Sequence, residues 1–221
     1  MKSQRVAVLT IALVFGFAAG ARAEKDSDLK LLISKVSKSA AVAEKFEGPK
    51  MPKEGAKLPK NWVANKGEFQ LREGSLAGWE KKEDKHAAVL TLHKSFKNSV
   101  IRFSFKRDGV TGFNLSFNHA KGHLFRIMIN DDGLTINKDK EKNDAASKPQ
   151  LLGKAEGKFP TGEWQTIQVE IVGDRVAVQA DNGVKLEVKN AALDVEKTGY
   201  RFVMRGSTLL LDDVHVWEVQ P

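Results

Sequence analysis

Glu170, His119 and His123 are the side chains of this chain with the plainest chemical potential. Glu170 belongs to the run WQTIQVEIV, in which Ile167, Val169 and Ile171 alternate with Thr166, Gln168 and Glu170. A carboxyl set among amides on an outward face is a candidate acid/base for cleaving a glycosidic bond. Asp181, after the next run, is a second carboxylate. Two-carboxylate hydrolysis needs the pair about 5 Å apart for retention and about 6.5–9.5 Å for inversion. His119 and His123 enclose Ala-Lys-Gly in NHAKGHLFR. Two imidazoles across a hairpin can share a metal, or one can act as a base near neutral pH. A water-exposed turn histidine is the plainer alternative. His123 is the candidate catalytic imidazole, and no metal site is expected.

A saccharide is recognised by planar donors and acceptors aimed at its hydroxyls. Arg102, Asn114, Ser116, Asn118, Arg126, Gln168 and Gln179 supply such groups, each alternating with core-type residues. Asn and Ser are poor strand formers, so three on one strand call for a reason. If these residues share one concave sheet they line a groove. If not, they are an ordinary solvated face. With His119, and Gln179 excepted, they form the candidate substrate-binding set. Trp79, in the charged stretch GWEKKED, is the aromatic expected to be exposed for stacking on a sugar ring. Trp62, Trp164 and Trp217 are expected to anchor the core or its hairpins. Asp212-Asp213 offers oxygen ligands that a structural Ca²⁺ could take; no other cofactor is expected.

The elements that must position these groups are strands. Ile101/Phe103/Phe105, Phe113/Leu115/Phe117 and Phe125/Ile127/Ile129 each alternate with polar residues, the period of a half-buried strand. Asp108-Gly109, Lys121-Gly122 and Asp131-Asp132-Gly133 carry hairpin chemistry, because glycine supplies positive φ in tight turns. The same pattern recurs through residues 164–188, with turns at Gly173-Asp174 and Asp181-Asn182-Gly183, and two further strands are expected at 200–205 and 209–219. Residues 138–148 (KDKEKNDAASK) are too charged to bury. Many short strands with no convincing long helix predict an all-β, two-sheet antiparallel jelly-roll sandwich.

The 221 residues suit one such domain plus a tail, and 41% hydrophobic content is enough for a core. Residues 1–23 read as a signal peptide, with Lys2 and Arg5 before an apolar run and Ala21-Arg22-Ala23 as the cleavage site. The run of about 15 is short of the roughly 20 needed to span a bilayer. Residues 24–40 are a polar leader or short helix, with Leu29, Leu32, Ile33 and Val36 at helical spacing, and 41–221 form the sandwich. A secreted or periplasmic bacterial protein is expected, without a stable membrane span after cleavage. Losing Lys2, Arg5 and Arg22 takes the formal charge from +8 to +5. The remaining lysines are interleaved with acids, so nucleic acid is not an expected partner; a carbohydrate or glycoside is. The chain has no cysteine, which removes disulfide and thiol chemistry.

Several stretches carry a resemblance. The order AEKFEG, LPKNWVANKGEFQLREGSL, EDKHAAVLTL, FKNSVIRFSFK, GEWQTIQVEIVGDRVAVQADNG and LLLDDVHVWEV resembles exported bacterial members of the 3-keto-disaccharide hydrolase family. That family is similar to the concanavalin A-like lectin/glucanase superfamily, with its family 16 glycoside hydrolases and laminin G-like modules. The resemblance covers about residues 41–219. It implies a concanavalin A-like jelly roll and a carbohydrate-directed role, hydrolysing or binding a glycoside. The Glu-x-Asp-x-x-Glu string of family 16 enzymes does not occur in the chain. A non-catalytic, laminin G-like interaction module of the cell envelope is the alternative.

Overall fold

The structure, a computed structural model, describes residues 29–37, 39–47, 58–72 and 74–219. The expected signal peptide at 1–23 lies outside the described residues. In chain order the strands are β1 (Val42–Glu44), β2 (Trp62–Lys66), β3 (Glu68–Arg72), β4 (Ser75–Trp79), β5 (Ala88–Leu92), β6 (Ser99–His119) and β7 (Gly122–Asn130). They continue with β8 (Gly133–Lys138), β9 (Gln150–Glu156), β10 (Trp164–Val172), β11 (Arg175–Ala180), β12 (Lys185–Lys189) and β13 (Tyr200–Glu218). Every pairing between them is antiparallel.

Two long strands, β6 and β13, run side by side through both layers of a jelly-roll sandwich. In layer A the order is β3-β4-β13-β6-β10-β11-β12, with β1 beside the C-terminal end of β13. In layer B it is β2-β5-β13-β6-β7-β8-β9. The N-terminal half of β6 pairs with β10, its C-terminal half with β7. Phe103 from layer A meets Phe113 and Phe202 from layer B, with ring centroids 5.9 and 5.3 Å apart. Ile101, Phe103, Phe105, Phe113, Leu115 and Phe117 are all buried. Burying one such side chain stabilises the fold by about 2 kcal/mol.

The passage between layers corrects the expectation of a hairpin at Asp108-Gly109. The chain bends there without reversing. Gly109 (φ 82°) and Gly206 (φ 92°) face each other where β6 and β13 slip register, and Thr208 pairs with both Asp108 and Gly109. A Cβ on Gly109 would lie 2.0 Å from Ser207 Oγ. Positive φ and close approach therefore serve a bulge rather than a turn. Likewise 200–205 and 209–219 are one continuous strand, β13. Residues 29–37 hold no helix. They cross layer A without regular structure and enter the sheet through a Val36–Val219 bridge. Residues 139–149 form the expected loop.

Candidate functional site

Because β6 bends from one layer to the other, its two polar stretches emerge on opposite sides of the molecule. Inward-facing Phe103 and Phe113 meet across the core. The side chains that alternate with them must point away from each other. The candidate set is thus divided, and the single groove joining Arg102 and Gln168 to Asn114, Ser116, Asn118 and Arg126 is not formed.

The outer face of layer A carries Arg102, Gln168, Glu170 and Gln179, because Gln168 pairs with both Arg102 and Gln179. Arg102 lies over the Trp217 ring, 5.0 Å from its centroid, and His215 stacks on that ring at 5.4 Å. Glu170 is only 1% exposed. It is covered by the chain's own N-terminal segment. The backbone N–H groups of Leu32, Ile33 and Ser34 donate to its carboxylate at 2.6, 2.9 and 3.0 Å, and the Ser34 hydroxyl donates at 2.8 Å. Gln168 and Gln179 both donate to the Lys30 carbonyl. With the Gln168 amide donating as well at 3.2 Å, the carboxylate holds five donors and is saturated. Asp181 lies past the end of β11, four residues beyond the partner of Glu170. Strand geometry puts their Cα atoms roughly 14 Å apart, too far for a two-carboxylate glycosidase pair. Trp79, expected to be exposed, is half-buried beneath the Arg72 guanidinium at 4.7 Å.

The outer face of layer B carries the rest. Direct cross-strand partners put Thr91, Arg201, Ser116, Arg126 and Asn137 in one row across five strands. Asn118 and His123 pair beside that row, with His123 Nδ1 and Asn118 Oδ1 3.0 Å apart. Arg201 Nη1 reaches Asn118 Oδ1 at 3.5 Å and His123 Nδ1 at 3.4 Å. Arg126 pairs with Asp139 through Nη2 and through Nε at 3.3 Å. Thr91 Oγ1 donates to Asn65 Oδ1 at 2.5 Å. Asn114 lies one row along, opposite Met128.

Burial, and next the Arg201 charge, hold the His123 imidazole below its ordinary value of 6.5. It is therefore mostly neutral at pH 7. Arg201 is likewise pushed down, first by burial and then by Arg126. His119 pairs with Gly122 at the hairpin, and the second imidazole turns to Asn118 instead. Among the described residues no group of three or more His, Asp or Glu could hold a metal. Asp212 accepts the Asp213 N–H at 2.7 Å.

Sequence reasoning missed Arg201, Asp139 and the covering segment. Arg201 was findable, since it alternates with Tyr200 and Phe202. Its meeting with His123 depends on register. The segment at 30–34 gave no signal, because its partners lie some 138 residues away.

No family model matches the chain, and no curated protein matches it. Solved structures do. A Bacillus subtilis protein of unknown function with a galectin-like fold superposes with a TM-score of 0.62 at 10% identity, over 85% of this chain and 99% of that one. The carbohydrate-binding module CBM66 from Bacillus subtilis gives 0.58 at 12%, over 72% and 96%. SCLam, a non-specific endo-β-1,3(4)-glucanase from family GH16, gives 0.57 at 11%, over 84% and 94%. Likeness at identities this low shows the fold alone, an antiparallel jelly-roll sandwich.

Proposed function

We propose that this chain is an exported, carbohydrate-directed β-sandwich that binds a glycoside on the outer face of layer B. The observation that carries this is the polar row Thr91, Arg201, Ser116, Arg126 and Asn137, with His123 and Asn118 beside it. It supplies amide, imidazole and guanidinium groups on one face, while Ser116 and Thr91 of the row are themselves buried. Glu170, by contrast, spends its carboxylate on the chain's own backbone. The shared fold with a carbohydrate-binding module and a glucanase supports the same reading.

A second reading is hydrolysis of a 3-keto-glycoside with His123 as general base. It is favoured by the neutral state of that imidazole and its contact with two polar partners. Both readings are tested by titrating the protein with a panel of oligosaccharides and 3-keto-glycosides, using calorimetry for binding and mass spectrometry for cleavage. Expected is binding that falls about tenfold or more in Asn118→Ala, the loss of one good hydrogen-bonded contact. Cleavage that disappears in His123→Gln establishes the hydrolase. Neither binding nor cleavage by the folded protein moves the weight to a protein-interaction module.

A further inference from the structure

Arg126 and Arg201 stand on β7 and β13, separated only by the strand that carries Ser116. Their Cα atoms are about 10 Å apart by strand spacing, so two long side chains can bring their heads to one small group. The two guanidiniums are not equally served. Arg126 has the carboxylate of Asp139. Among the described residues Arg201 hydrogen-bonds only to the neutral Asn118 and His123, both at the long limit of a hydrogen bond. Among the described residues no carboxylate comes within ion-pair distance of it.

Arg201 is partly withdrawn from water, and a guanidinium so placed without a counter-ion is unfavourable. A planar carboxylate accepting its two parallel N–H groups restores what burial removes. Asp139 already serves Arg126, so the bay keeps an excess positive charge. Asn65, which takes the Thr91 hydroxyl, and Asn137 add amide groups suited to ring hydroxyls, while Ser116 and Thr91 are themselves buried.

We propose that this face selects an acidic saccharide, whose ring carboxylate docks on Arg201 between His123 and Arg126. The proposal rests on the glycan-binding reading of layer B and names the class of sugar.

The test is calorimetric titration of the full chain with trigalacturonate, with a neutral galactotriose and with sodium sulfate. Trigalacturonate is expected to bind about tenfold or more tightly than the neutral trisaccharide, the usual gain of a charge-assisted pair. Arg201→Gln is expected to abolish that preference, the ratio of acidic to neutral affinity being the readout because Arg201 also belongs to the binding row, and Arg201→Lys to restore part of it. In the wild-type protein the His123 imidazole resonances are expected to move with trigalacturonate. Equal affinity for the acidic and neutral sugars overturns the acidic selection alone, as does a preference that survives in Arg201→Gln. Binding that leaves the His123 resonances unmoved puts the ligand elsewhere and also overturns it. Sulfate binding as tightly as trigalacturonate identifies a bare anion site and removes the saccharide. No binding of either sugar overturns the glycan reading together with its refinement.

Discussion

Lys197 shows how a single residue makes the stability of this sandwich depend on pH. Its side chain is fully buried, with Nζ donating to the carbonyls of Lys97 at 2.9 Å and Leu193 at 2.7 Å. Two carbonyls take two of its three N–H donors and do not replace a counter-ion. Burial therefore lowers its pKa from 10.5 to about 8, against the opposing pull of Asp194. In the unfolded chain the amine keeps its ordinary value. Between pH 8 and 10.5 the unfolded state thus binds more protons than the folded state, and stability rises with pH. Below pH 8 both states are protonated and the gain is absent. Denaturation midpoints at pH 7.5, 9 and 10 are expected to climb after correction for other groups, and the climb is expected to flatten in Lys197→Met. The slope is the readout, since the substitution also leaves two carbonyls unpaired and shifts all three midpoints. An equal slope in both proteins would show that the ammonium stays charged in the fold.

At the scale of elements, the segment at 30–37 is held to layer A chiefly by polar contacts. Leu31 and Leu32 remain 39% and 40% exposed, so apolar burial contributes little there. The hold is the Glu170 carboxylate, with Gln168 and Gln179 on Lys30 and the Val36–Val219 bridge beyond. Glu170→Gln keeps the shape but turns an N–H₂ toward the segment in place of one acceptor oxygen. Removing charged hydrogen bonds of this kind costs about 2–3 kcal/mol. Hydrogen exchange at Leu32, Ile33 and Ser34 is expected to accelerate in that variant while β10 and β11 stay protected. Unchanged exchange would mean that the bridge alone holds the segment. Of the two alternatives for residues 24–40, a polar leader or a short helix, the described residues 29–37 do not take the helix. Leu29, Leu32, Ile33 and Val36 have helical spacing, yet a carboxylate far along the chain binds the backbone donors of Leu32, Ile33 and Ser34. Local periodicity is blind to such a partner.

At the scale of the molecule, alternation made most of the sandwich legible. The runs at 101–105, 113–117, 125–129 and 167–171 are strands with the expected residues inward. What alternation does not carry is whether a chain reverses or bends. Asp108-Gly109 suits a hairpin and a bulge equally, because both need positive φ. Choosing the hairpin places Arg102 and Asn118 on one face; the bend puts them on opposite faces. That one ambiguity is why the residue types of the site were readable and their grouping was not.

The whole chain also bears on export. If cleavage follows Ala23, seven residues reach from that point to Lys30, a span of at most about 25 Å. An uncleaved leader held in a bilayer would therefore keep layer A close to the membrane and leave the row on layer B turned outward. Cleavage frees the sandwich altogether and leaves layer B equally open. The two cases differ in mobility rather than in access to glycan. Expression of the full chain in a bacterial host, followed by fractionation and N-terminal sequencing, is expected to give an exported, membrane-free protein beginning at Glu24. A membrane-bound product retaining Met1 would replace release with tethering, and a cytoplasmic product would remove the export on which an extracellular glycan partner depends.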